Sequence, residues 1–226
     1  MKKYIIIVAG GTGSRINSDI PKQFIELKGR PILMRTIEKF VATIPEINIV
    51  LVLSPAHLEL WKALCTKYNF TVSCTIAHGG ETRFHSVKNG LTLVPESVVV
   101  GVHDAARPFV SSQTIIKTFQ TAELKGNASP AIPMNESIRE VANNNNKAVD
   151  RSHFQIIQTP QCFHSSLLKK AFLQVYNPLF TDDASVLESI GEKINLIEGN
   201  RENIKITTHQ DLIIAEALCS QLSADA

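Results

Sequence analysis

What this chain lacks narrows its function before any motif is read. No apolar run is longer than a strand requires, so no segment is expected to cross a bilayer as a helix. Met1-Lys2-Lys3 leads straight into a strand-like run and does not read as a signal peptide. Neither charge dominates: 23 Lys and Arg stand against 21 Asp and Glu, a net charge of +2, which removes the electrostatic footprint of a nucleic-acid or membrane-surface binder. Cysteine is scarce. Cys65, Cys74, Cys162 and Cys219 form no C-x-x-C pair and the 7 histidines are scattered, so neither a zinc site nor a disulfide framework is expected. Reduced thiols in a cytoplasmic protein are the expectation.

Two familiar glycine motifs are also missing. A dinucleotide fingerprint needs a third glycine and, about 20 residues on, an acid for the ribose. Here Ile16 stands where that glycine belongs, and the next strand ends in Ser54-Pro55. A P-loop needs a glycine followed by Lys-Ser or Lys-Thr, and the chain has none.

What is present is a third kind of glycine loop. Ile5-Ile6-Ile7-Val8 reads as a buried parallel strand and runs into Ala9-Gly10-Gly11-Thr12-Gly13-Ser14-Arg15, with Pro21-Lys22-Gln23 shortly after. Bare backbone N–H groups can approach an anion where no Cβ intervenes, and Arg15 and Lys22 add positive charge beside them. Phosphates of a nucleoside triphosphate are what such a loop suits; a tight turn with two solvated cations is the plainer alternative.

Strand-like and helix-like segments alternate through the 226 residues, enough for one α/β domain spanning 1–226 with a mostly parallel central sheet flanked by helices. Strands are expected at 47–53, 71–77, 98–102, 128–134, 155–158, 195–197 and 204–207. Helices are expected from Pro31 as first helical residue to before Pro45, at 56–68 and 82–93, from Ser111 or Ser112 to near Gly126, at 167–176 and 181–190, and from Thr208 onward. The polar segment 135–151, with an Asn tract at 143–146, predicts a protruding β-hairpin arm rather than a disordered loop. Ligands of such sheets bind outside the carboxyl ends of the strands. The turns after strands at Gly10, at Gly79-Gly80 and at Asp104 are therefore expected to share one rim.

Taken in order, Ala9 to Arg15, Pro21-Lys22-Gln23, Gly79-Gly80-x-x-Arg83-x-x-Ser86-Val87, His103-Asp104-Ala105-Ala106-Arg107-Pro108, Val149-Asp150-Arg151, Thr159-Pro160-Gln161, Thr181-Asp182-Asp183-Ala184 and Asn203-Ile204-Lys205 resemble the 2-C-methyl-D-erythritol 4-phosphate cytidylyltransferases. The ribitol 5-phosphate cytidylyltransferases share the first loop, Pro-Lys-Gln and the Asp-Ala-x-Arg-Pro element, but the later motifs resemble the methylerythritol branch more closely. The resemblance implies a Rossmann-like fold and transfer of a cytidylyl group from CTP to a polyol phosphate, with Mg²⁺ as cofactor and no protein nucleophile.

It also implies roles. Ala9, Gly10, Gly11, Gly13, Arg15 and Lys22 would hold the CTP phosphates, with Arg15 and Lys22 catalytic; Gly80, Glu81 and Ser86 would frame the cytosine. Asp104 would ligate Mg²⁺ beside Arg107, although the two could equally be a plain ion pair. Arg151 and Lys205, also catalytic, would grip the acceptor phosphate, helped by Thr159 and Ser137, and Asp183 would accept hydrogen bonds from acceptor hydroxyls unless it serves, like Asp182, as a helix-start charge. The resemblance makes the arm a dimerisation element and the protein a homodimer.

Overall fold

The computed structural model describes residues 1–11 and 20–224. In chain order it runs β1 (Lys3–Ala9), β2 (Glu26–Leu27), β3 (Arg30–Pro31), α1 (Ile32–Thr43), β4 (Asn48–Leu53), α2 (Leu58–Lys67), β5 (Thr75–His78), α3 (Arg83–Leu91), β6 (Val99–Asp104) and α4 (Ser112–Lys125). Then follow β7 (Asn127–Pro133), β8 (Arg139–Ala142), β9 (Asn145–Ala148), β10 (Gln155–Ile157), β11 (Gln161–His164), α5 (Ser165–Ala171), α6 (Asp183–Glu188), β12 (Leu196–Glu198) and α7 (His209–Ala224).

The main sheet has the order β10-β7-β11-β6-β1-β4-β5, with β12 paired to β7. β1 pairs in parallel with both β4 and β6, and β4 with β5. Only β10 and β11 run against the others. Ile5, Ile6 and Ile7 of β1 have no exposed surface, because the sheet is covered on both faces. Ile5 and Ile7 pack with Leu33, Phe40, Trp61 and Phe119 from α1, α2 and α4, while Ile6 packs with Phe84, Val87, Leu91, Leu168 and Leu187 from α3, α5 and α6. Each such burial contributes about 1.5–3 kcal/mol. At Gly90 a Cβ would stand 2.9 Å from Ile6 Cγ2, so the missing side chain lets α3 settle directly on β1.

The arm is a hairpin as expected. Asn143 and Asn144 take positive φ of 49° and 64°, the conformation of a tight hairpin turn that Asn tolerates, and every residue of β8 and β9 is exposed. Ser111 caps α4, accepting from the Thr114 N–H, and Gly126 ends it with a φ of 89°.

Several boundaries differ from the sequence reading. Pro31 is the residue before α1 and pairs within β3, opposite Glu26. β5 begins at Thr75, not 71. The helices expected at 167–176 and 181–190 are shorter, at Ser165–Ala171 and Asp183–Glu188. No strand forms at 204–207: Ile206 is fully buried and its N–H reaches the Ala106 carbonyl at 2.9 Å, but the neighbours make no ladder. β11 was not expected. Its Gln-Cys-Phe-His run is too short to carry a period, and it is a strand because it fills the gap between β6 and β7.

Candidate active site at the strand ends

Parallel register carries three loops to one rim. Val8 lies opposite Asp104, Ala9 opposite Leu53 and Leu53 opposite His78, so Gly10, Gly79 and Asp104 leave or end the sheet at one level. Between them lies a cavity of about 240 Å³, lined among the described residues by Ala9, Gly10, Gly11, Lys22, Gln23, Gly80, Glu81, Arg83, Ser86, Asp104 and Lys205. Of the residues expected in the site, Gly13 and Arg15 lie outside the described residues. Arg107, Thr159 and Asp183 sit behind this lining, and Ser137 and Arg151 lie on the exposed arm segment and do not line it.

Local chemistry builds each wall. Gln23 sits in a short 3-10 turn at Lys22–Phe24, and its side-chain amide donates to the carbonyls of Ala9 at 2.9 Å and Gly11 at 3.2 Å. The glycine loop and Lys22 are thereby tied together. On the opposite wall, the Gly80 N–H donates to Ser86 Oγ at 3.0 Å, and Ser86 Oγ would stand 3.2 Å from any Cβ at Gly10. A Cβ at Gly80 would stand 2.5 Å from His85 Cβ, which the start of α3 cannot accommodate.

Charge concentrates on Asp104. Its Oδ2 meets Lys205 Nζ at 3.0 Å and Arg107 Nε at 3.3 Å, and its Oδ1 faces Arg83 Nε at 3.5 Å. Burial pushes its pKa up, but Arg83, Lys205 and Arg107 outweigh burial and hold the carboxyl far below the usual carboxylate range. The Asp104–Arg107 ion pair anticipated as the plainer alternative is present, within a larger cluster. Arg107 is further held by its Nη1 donating to the Asn203 carbonyl at 2.7 Å.

Behind the rim, Asp104 is fixed by its backbone. Its N–H donates to Thr159 Oγ1 at 3.2 Å, Thr159 Oγ1 lies 3.1 Å from His103 Nδ1, and His103 Nε2 lies 3.0 Å from the Arg107 carbonyl. One assignment satisfies all three: Nε2–H donates to the carbonyl, and the Thr159 hydroxyl donates to Nδ1. Burial pushes the His103 pKa down to about 4, in keeping with that neutral ring. Thr159 thus spends its hydroxyl within the protein. Asp183, expected to meet acceptor hydroxyls, is fully buried, and Arg83 Nη1 and Nη2 donate to its two oxygens at 2.9 and 2.7 Å. Asp182 is the residue that caps α6, accepting from the Ser185 N–H at 2.8 Å.

Sequence reasoning gave no role to Arg83, Gln23 or Asn203. Each stands inside a quoted motif, which was the available signal, but only the fold shows what each side chain touches.

A mostly parallel sheet with a glycine loop, cations and the Asp104 carboxylate at its strand ends fits a nucleotidyltransferase of the α/β class. The comparisons carry this to the family: the model for 2-C-methyl-D-erythritol 4-phosphate cytidylyltransferase matches residues 4–221, and the chain belongs to that family. It is 49% identical over 218 residues to the 2-C-methyl-D-erythritol 4-phosphate cytidylyltransferase of Phocaeicola vulgatus, covering 96% of this chain and 100% of that protein. Identity to the Porphyromonas gingivalis enzyme of the same name is 50% over 219 residues, covering 96% of this chain and 97% of that protein. The crystal structure of 4-diphosphocytidyl-2C-methyl-D-erythritol synthase from Anaerococcus prevotii matches with a TM-score of 0.82 at 27% identity, covering 97% of this chain and 96% of that one. The Thermus thermophilus 2-C-methyl-D-erythritol 4-phosphate cytidylyltransferase matches at 0.78 and 28% identity, covering 97% of this chain and 100% of that one.

Proposed function

We propose that the strand-end cavity is where this cytidylyltransferase joins its two substrates, and we assign its residues accordingly. The reaction is transfer of the cytidylyl group of CTP to 2-C-methyl-D-erythritol 4-phosphate, giving CDP-methylerythritol and pyrophosphate in non-mevalonate isoprenoid precursor synthesis. An oxygen of the acceptor phosphate attacks the α-phosphorus as the bond to the departing pyrophosphate breaks. Two anions must meet, so positioning and charge neutralisation do the catalytic work.

The observation that carries the reading is the meeting of Gly10, Lys22, Asp104 and Lys205, distant in sequence, around one cavity. The Ala9–Gly13 loop and Arg15 hold the triphosphate, and Lys22 neutralises charge gathering at the α-phosphate in the transition state. Gly80, Glu81 and Ser86 receive the cytosine in a recess whose close-packed wall suits a pyrimidine. Lys205, half-exposed at the rim, takes the acceptor phosphate. Arg107 and Thr159 hold Asp104 in place from behind.

Asp104 is the residue that would hold Mg²⁺. No cluster of three or more His, Cys, Asp or Glu among the described residues is arranged to hold a metal, so a cage made of protein alone is absent there. The Asp104 carboxylate, held ionised at the cavity, is the kind of ligand Mg²⁺ would need when the remaining ligands are phosphate oxygens and water. The ion, when bound, supplies neutralisation of the triphosphate charge.

Arg151 and Ser137 reach an acceptor phosphate from the arm of a second subunit. An arm exposed along both strands, with Val141 74% and the adjoining Phe154 43% exposed, supports a two-fold homodimer in which each arm completes the partner's site. The four free cysteines suit the reducing cytoplasm, and no helix among the described residues is long and apolar enough to cross a membrane.

The test is direct. With CTP and Mg²⁺, pyrophosphate release is expected with 2-C-methyl-D-erythritol 4-phosphate and not with ribitol 5-phosphate. Equal or faster release with ribitol 5-phosphate would overturn the acceptor assignment and leave the reaction class standing.

A further inference from the structure

A carboxylate with no exposed surface requires an explanation, because burying it is costly unless it is paired. Asp183 is such a group at the start of α6. Its placement is built, not incidental: Gln161 of β11 donates from Nε2 to Asp182 Oδ2 at 2.7 Å and accepts at Oε1 from the Ala184 N–H at 2.9 Å. Asp182 and Ser185 close a reciprocal cap around the same turn. The outcome is that Asp183 meets Arg83 with both oxygens, across 100 positions of sequence.

Arg83 stands between two carboxylates and treats them unequally. Its two terminal nitrogens are taken by Asp183 in a fork, the strongest geometry available to a guanidinium. Toward Asp104 it offers Nε, at 3.5 Å from Oδ1, too long for a strong hydrogen bond. The two oxygens of Asp104 consequently differ. Oδ2 is engaged by Lys205 at 3.0 Å and Arg107 at 3.3 Å, whereas Oδ1 is faced by Arg83 Nε at the longer distance of 3.5 Å.

We propose that Asp183 is a positioning residue that occupies the Arg83 fork and so leaves Asp104 Oδ1 open to the divalent cation arriving with the triphosphate. The inference rests on Asp104 as that cation's ligand, argued above. Without Asp183 the fork turns to the nearest carboxylate, which is Asp104, and a bidentate pair there competes with the cation for the same oxygens. Local charge adds to the effect. Loss of Asp183 removes one negative charge beside Arg83, which also faces Asp104 next to Arg107 and Lys205, and so makes a poorer place for a dication.

Titration calorimetry of CTP binding across a series of Mg²⁺ concentrations tests this without turnover. Asp183→Asn is expected to raise the Mg²⁺ concentration giving half of the metal-dependent gain in CTP affinity by about tenfold or more, the usual effect of losing an outer-shell partner. The affinity measured without metal should change much less. The double variant Arg83→Gln with Asp183→Asn removes the competitor along with its restraint, and is expected to regain most of the wild-type metal dependence. Unchanged metal dependence in Asp183→Asn, or a double variant no better than the single, overturns the proposal. So does failure of both variants to fold, which would make the pair an anchor of α6 alone. If wild-type CTP binding shows no Mg²⁺ dependence, the metal reading of Asp104 falls first and this inference falls with it.

Discussion

Gln23 reaches from the Pro-Lys-Gln turn to the glycine loop, its side-chain nitrogen 2.9 Å from the Ala9 carbonyl and 3.2 Å from that of Gly11. Gln23 and Ala9 are both buried, so the Ala9 carbonyl has little access to water as a substitute. One amide thus sets the distance between the strand end that meets phosphate and the neighbouring Lys22. Gln23→Leu keeps the volume and removes both donations. It is expected to cost about 1–3 kcal/mol in denaturant unfolding, the usual penalty for stranding buried polar groups. A rise in the KM for CTP larger than any fall in kcat should accompany it, measured by steady-state pyrophosphate release.

Lys22 lines the cavity beside that loop. Lys22→Ala is expected to lower kcat by about 10²-fold or more, the scale of losing one preorganised charge stabiliser, with the circular dichroism spectrum unchanged. Arg15→Ala should behave alike. Near-normal kcat in both variants would reduce the glycine loop to a structural turn.

His103 makes stability depend on pH. Burial lowers its pKa from 6.5 to about 4, so the unfolded chain takes up the proton first as the solution is acidified. A group with a depressed folded-state pKa contributes stability that is present above pH 6.5 and is lost progressively as pH falls toward 4. The limiting slope is about 1.4 kcal/mol per pH unit within that window. His103→Gln, unable to titrate, should flatten this part of the stability curve by comparison with wild type. Parallel curves would show that the ring stays out of the titration.

The arm can be tested by complementation. Replacing the β8–β9 hairpin with a short Gly-Ser turn is expected to reduce dimer content by light scattering and activity together, since isolated hairpins hold little structure of their own. Mixing Arg151→Ala chains with Lys22→Ala chains should restore part of the activity, because one of the two sites in a heterodimer then has both residues. A fully active monomer at assay concentration would dismiss the shared site.

The amino-acid sequence by itself determined the class of sheet and the loops that matter. Buried parallel strands such as Ile5-Ile6-Ile7-Val8 are continuous apolar runs, and a parallel sheet presents all its strand ends on one rim, so order and polarity sufficed to place Gly10, Gly80 and Asp104 together. The Asn tract announced its hairpin because Asn tolerates positive φ. Tertiary structure alone decided the rest. β11 is too short to carry a periodic signal and is a strand only because β6 and β7 flank it. Ile204 to Thr207 have strand-like composition yet no partner to pair with along their length, and composition cannot supply one. The division of Arg83 between Asp183 and Asp104 was likewise invisible, since a salt bridge is a matter of distance in space and its members stand 100 positions apart. Periodicity is a local property written residue by residue, whereas the pairing of charges exists only once the chain has closed around them.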